Sequence, residues 1–201
     1  MFELIVVAVF AATLLMVALR PQTASAHCDT MDGPTAKDGE LALETGELAH
    51  AMKWVMPDGE AELKEIFDRA LAVRGLGQAP QQVADSWFLE NLVRIHRAGE
   101  GASYTGLRPK GVPVDEKVAA ADLAVAQGDL EPLVGVIEQD RWAELERRFA
   151  VVLERRGYNP TDVDAARHYV EAYVNFFKFA EGHDHDHAHD HAAHAVSGHG
   201  H

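Results

Sequence analysis

LALETGEL at residues 41–48 returns as LAVAQGDL at residues 123–130, a displacement of 82 positions that keeps Leu41-Ala42, Gly46 and Leu48 over Leu123-Ala124, Gly128 and Leu130. The register continues downstream. Asp58 meets Asp140, Ala61-Glu62-Leu63 meets Ala143-Glu144-Leu145, Phe67 meets Phe149, and Arg74-Gly75 meets Arg156-Gly157, with twelve identities over residues 41–75. At a displacement of 81, FLENLVRIHRAGEG (88–101) lies over YVEAYVNFFKFAEG (169–182). A period of this length is the mark of a duplicated structural unit.

The unit reads as helical. Ala, Leu, Glu and Arg dominate, apolar residues recur every three or four positions, and alternating strand patterns are nearly absent. Each copy (about 34–101 and 115–182) divides into three helical segments: 35–55, broken near Gly46, then 59–74 and 80–98; and 115–137, broken near Gly128, then 141–156 and 162–180. Asp58 and Asp140 stand where N-caps of the middle helix belong, Gly75 and Gly157 where a left-handed residue closes it, and Thr161 with Asp164 has capping-box spacing. The expected fold is all-α: a helical bundle of two tandem, pseudo-symmetric three-helix units. The Gly/Pro-rich loop GASYTGLRPKGVP (101–113) joins them.

Outside the bundle domain (27–182) stand two segments of other composition. Residues 4–19 are an uncharged run, apolar except for Thr13, followed by Ala24-Ser25-Ala26, a small-x-small pattern that predicts a signal peptide over 1–26 with cleavage after Ala26. The stretch before that run lacks Lys and Arg, so an uncleaved N-terminal anchor is the alternative. Either places the protein in the periplasm or outside the cell. At the other end, HDHDHAHDHAAHAVSGHGH (183–201) has no apolar periodicity and is expected to be a disordered tail.

The formal net charge is −14, which disfavours nucleic acid and anionic membrane surfaces and draws in cations. A single cysteine, Cys28, excludes an internal disulfide; in an oxidising compartment it is buried, metal-bound or paired with another chain. No phosphate-binding loop, Ser-His-Asp order, HExxH or CxxCH haem motif is present, so neither a nucleotide nor a haem cofactor is expected.

The candidate ligands are concentrated at the two ends. The tail holds eight of the twelve histidines, His183, His185, His187, His189, His191, His194, His199 and His201, interleaved with Asp, a donor set suited to zinc, nickel, cobalt or copper. Cleavage after Ala26 would leave His27 with a free amine one residue before the Cys28 thiol. Amine, Cys28 amide and thiolate then close a planar N,N,S chelate of the type nickel and copper prefer, with the His27 imidazole as an axial ligand. A buried or oxidised cysteine is the plainer reading of Cys28. Within the bundle, His96 aligns with Phe177 of the second copy, so its imidazole is expected to point inward, with docking of the N-terminus against it as one use. A satisfied, half-buried histidine is the plainer account of both His96 and His50, and His168 is expected at the surface. Glu90, matched by Glu171, reads as structural. Met52 and Met56, four apart, read as packing rather than as copper ligands with Met31.

The stretch His27-Cys28-Asp29-Thr30-Met31-Asp32-Gly33 resembles the nickel hook of nickel superoxide dismutase, which begins His-Cys-Asp-x-x-Cys-Gly. The resemblance spans seven residues, and His27, Cys28, Asp29 and Gly33 match. It implies a redox metal at the N-terminus, with Asp32 in place of the second thiolate. The whole chain also resembles an uncharacterised bacterial family of exported helical proteins that begin HCDTxDGP and contain RIHRAGEGAxYTG. The expectation is therefore an exported protein that captures, buffers or delivers a divalent transition metal, exchanging it with a transporter or an acceptor metalloprotein. A redox metalloenzyme and a metal-free structural or interaction module are the two alternatives.

Overall fold

The structure, a computed structural model, describes residues 28–182. The expected leader, His27 and the whole His-rich tail lie outside the described residues. Within them the fold is all-helical, as the periodicity predicts: seven α-helices and no strand. They are α1 (Pro34–Thr45), α2 (Ala49–Met52), α3 (Glu60–Arg74), α4 (Gln78–Gly99), α5 (Glu116–Gln127), α6 (Trp142–Arg155) and α7 (Val163–Glu181). Among the described residues no helix is long and apolar enough to cross a membrane.

Each long helix buries one stripe. Leu63, Ile66, Phe67 and Ala70 face inward from α3, and Leu145, Phe149 and Val152 from α6, at three- and four-residue steps along a helix of 3.6 residues per turn. These stripes pair α3 with α4 and α6 with α7 as antiparallel hairpins, while α1 lies on α4 and α5 on α7. Phe67 tilts against Phe88 in one pair and Phe149 against Phe176 in the other, at centroid distances of 5.4 and 5.3 Å. Each such aromatic contact contributes about 0.5–1.5 kcal/mol beyond the area it buries.

The helix ends depart from the expected caps in an instructive way. Asp58 and Asp140 do not cap the middle helices; each lies inside a 3-10 turn (Pro57–Gly59 and Gln139–Arg141) that leads into the helix, and neither caps through its side chain. There they still place negative charge at the positive end of the helix dipole. Gly75 ends α3 with φ −74°, and Gly157 is likewise not left-handed. The left-handed closures fall instead at Gly46 (φ 74°) and Gly128 (φ 81°), whose N–H groups return to the carbonyls of Ala42 and Ala124. In place of a Thr161–Asp164 box, Asp162 caps α7 by accepting from Ala165 N at 3.0 Å. Met52 ends α2 and Met56 precedes a 3-10 turn, so the two do not share a helix, and Met56 is 40% exposed.

The two hairpins meet at the turn Lys53–Val55. The Trp54 ring stands edge-on to His96 and Tyr173, and Arg167 of α7 donates to the Val55 carbonyl at 2.9 Å. Lys53, 8% exposed, reaches Asp38 at 2.9 Å and the Tyr158 hydroxyl at 2.8 Å, so its buried charge is partnered on both sides.

Close approach of α1 to α4 requires a glycine. A Cβ at Gly39 would stand 2.6 Å from Leu89 Cδ2 and 2.7 Å from Leu92 Cδ2, both buried in the core. Gly39→Ala is therefore expected to destabilise the fold by about 1–3 kcal/mol, because overpacking outweighs the helix-propensity gain of alanine. A thermal melt reads this directly; an unchanged or raised melting temperature would mean that α1 shifts away freely.

A buried polar pocket under the N-terminal strap

Residues 28–33 run as a strap across the end of α4 and are sewn to the loop that joins α4 to α5. Arg108 N donates to the Asp29 carbonyl at 2.7 Å and Met31 N to the Arg108 carbonyl at 2.9 Å, forming an isolated parallel bridge at Thr30 and Arg108. Asp32, one of the expected metal ligands, serves this seam. Its Oδ2 accepts from Gly111 N at 2.6 Å.

The last turns of α4 form the pocket floor. Helical spacing brings His96, Arg97 and Glu100 together, the first and last on one face as an i, i+4 pair. His96 is 5% exposed, in agreement with the inward imidazole that its alignment with Phe177 predicts. Its Nδ1 lies 2.8 Å from the Trp54 carbonyl. A carbonyl can only accept, so Nδ1 carries the hydrogen, and in the neutral ring Nε2 is left with a bare lone pair. That Nε2 is buried and has no hydrogen-bond partner; Glu100 Oε2 is 3.8 Å away.

Charge converges on the same point from the strap. Asp29, 7% exposed, faces Arg97, with Oδ1 3.4 Å from Nε, and Arg97 Nη1 donates to Glu100 Oε2 at 2.8 Å. Burial pushes the Asp29 carboxyl above its ordinary range, against the pull of Arg97 and His96. The Cys28 thiol is desolvated among these groups, and burial, with Glu100 and then Asp29 adding to it, pushes its pKa up to about 12. Thr35, fully buried on α1, leans its hydroxyl on the thiol. Thiol and imidazole thus share Glu100 as a neighbour, beneath one strap.

The other candidate residues stand apart from this pocket. His50 pairs at 3.4 Å with Glu47, and His168 is exposed beside Glu171 at 3.7 Å. Glu90 accepts from the Tyr104 hydroxyl, a tie between α4 and the loop. Among the described residues no three His, Cys, Asp or Glu side chains converge as a ready-made metal cage. What sequence reasoning missed is the supporting set Asp29, Thr35, Arg97 and Glu100. The H-x-x-x-E spacing in RIHRAGEG was the available signal for Glu100; nothing local marks Thr35.

The chain belongs to the family of unknown function DUF6448, whose model matches residues 32–179. No curated protein and no solved structure matches it.

The raised thiol pKa sets its reactivity. A thiol titrating at about 12 instead of 9.0 is almost wholly protonated at pH 8. Alkylation of Cys28 in the folded, metal-free protein is expected to run on the order of a hundredfold slower than in urea, since the thiolate is the nucleophile. The folded pKa lies above the unfolded one, so this group's contribution to stability is complete below pH 9.0 and is lost as pH rises toward about 12. Equal alkylation rates at pH 8 in the two states would mean that the thiol is not held in this pocket.

Proposed function

We propose that this is an exported protein that binds a divalent transition metal at the N-terminal strap and captures it through the His-rich tail. The observation that supports this reading above the others is the Nε2 of His96. A buried imidazole lone pair, aimed by a carbonyl and left without a hydrogen-bond partner, is the arrangement of a metal ligand waiting for its ion. Carbonyl-oriented imidazoles of this kind owe their ring orientation and tautomer to the second partner, as Trp54 provides here. In this reading the leader 1–26 is removed after Ala26, and the mature strap begins at His27. The eight tail histidines raise the local concentration of metal near the specific site.

We further read the fold as a duplication. The left-handed caps Gly46 and Gly128, the 3-10 turns beginning at Pro57 and Gln139, and the helices beginning at Glu60 and Trp142 all lie 82 positions apart, which supports that reading. Phe177 occupies in the second copy the position of His96 in the first, so a site built on that position belongs to one copy alone.

The test is metal analysis of the full-length protein recovered from its own compartment, with intact mass to locate the N-terminus. A mass lacking residues 1–26 and one tightly held metal per chain are expected. Cys28→Ser should remove the tight ion, while deleting 183–201 should remove only the weaker ones and leave the melting temperature within a few degrees. Metal bound only by the tail would reduce the strap to a structural element. No bound metal at all would favour the structural or interaction module.

A further inference from the structure

We infer that Glu100 joins Cys28 and His96 as the third ligand of a four-coordinate site for a divalent cation of borderline softness, such as zinc or cobalt, with the fourth position left open. The inference rests on the metal-binding reading above and names the metal class and the ligand set for it.

Two observations converge. First, His96 and Glu100 lie one helical turn apart on the same face of α4, with Nε2 and Oε2 3.8 Å apart. That gap is too long for a hydrogen bond and wide enough for two ligands of one ion, since metal–N and metal–O bonds are each about 2.0–2.2 Å. Second, the lone pair on Nε2 is buried and unpartnered, while the other ring nitrogen is already committed to the Trp54 carbonyl. Thiolate, imidazole and carboxylate are each ligands of zinc, and four-coordinate zinc sites that keep an open position use three protein ligands.

Closing the site requires Glu100 to turn from Arg97. Glu100 is held now by Arg97 at 2.8 Å, and its side chain is 26% exposed, so it has room to turn. Arg97 keeps Asp29 as its counter-charge when Glu100 goes to the ion.

The experiment is titration of the mature, full-length, metal-free protein with cobalt(II), followed by absorption. The tail has no sulfur, so a near-ultraviolet thiolate-to-cobalt band reports the strap alone, and strong visible bands report four-coordination. Wild type should show both, saturating at one equivalent. Cys28→Ser and His96→Gln should abolish them, and Glu100→Gln should weaken binding by about ten- to a hundredfold. Should His96→Gln fail to fold by circular dichroism, Glu100→Gln decides, because its side chain lies at the pocket rim. A thiolate band that keeps its affinity and shape in Glu100→Gln would overturn the inference while leaving the metal-binding reading intact. The absence of any thiolate band in wild type would overturn both.

Discussion

The bond from His96 Nδ1 to the Trp54 carbonyl orders the centre of this molecule, because it fixes both a ring and a turn. On the turn side, Trp54 also donates its indole N–H to Asp38 at 2.7 Å, and the same Asp38 oxygen holds the Lys53 ammonium. Lys53 continues to Tyr158, and the Val55 carbonyl accepts from Arg167, so three consecutive residues tie α1, the segment before α7, and α7 itself. On the ring side, Trp54 and His96 meet in a T-shaped contact at 5.6 Å, and the far ring nitrogen, Nε2, lies 3.8 Å from Glu100 Oε2 after α4's last turn. A change at Trp54 would therefore be felt both in hairpin docking and in the pocket.

Arg97 is the second organiser, and it works across sequence distance. It faces Asp29 from the strap and Glu100 from its own helix, and its backbone carbonyl accepts from Ala102 N at 2.9 Å as the helix gives way to the loop. The strap, the end of α4 and the loop through Arg108 and Gly111 consequently form one hydrogen-bonded assembly. A ligand pulling on Cys28 or Glu100 pulls on the connection between the two hairpins. The proposed metal would thereby have a mechanical reach that an exposed surface site would lack.

The helices were legible because their signal is local. The spacing of Leu63, Ile66, Phe67 and Ala70 states the buried face of α3 without knowledge of its partner. The caps were less legible. Asp58 and Asp140 carry the residue type of an N-cap, yet a preceding proline or a tight 3-10 turn moved them one step out of position. His96 could be suspected of pointing inward only through its alignment with Phe177, since α4 buries residues on more than one side of its last turns. The pocket itself was not legible. Asp29 and Thr35 lie far from His96 in sequence and meet it only after the strap has folded back, and no spacing rule reports that fold-back.

What separates the pocket from the rest of the bundle is how its polar groups are satisfied. At Lys53, Arg74 and Arg167 each buried or half-buried charge has two or more well-aligned partners. At the strap, Asp29 Oδ1, Thr35 Oγ1 and His96 Nε2 are all enclosed without a well-formed hydrogen bond. Each such atom costs about 1–3 kcal/mol relative to one that is satisfied. A fold stable by only about 5–15 kcal/mol does not hold several of them in one place by neglect. Simple repacking could have relieved the cost: a phenylalanine, as at Phe177, fills the equivalent position of the second hairpin with no polar atom to satisfy. The imidazole stands where an aromatic hydrocarbon would stabilise the core better, and the lone pair it leaves open is the one that the proposed metal would satisfy.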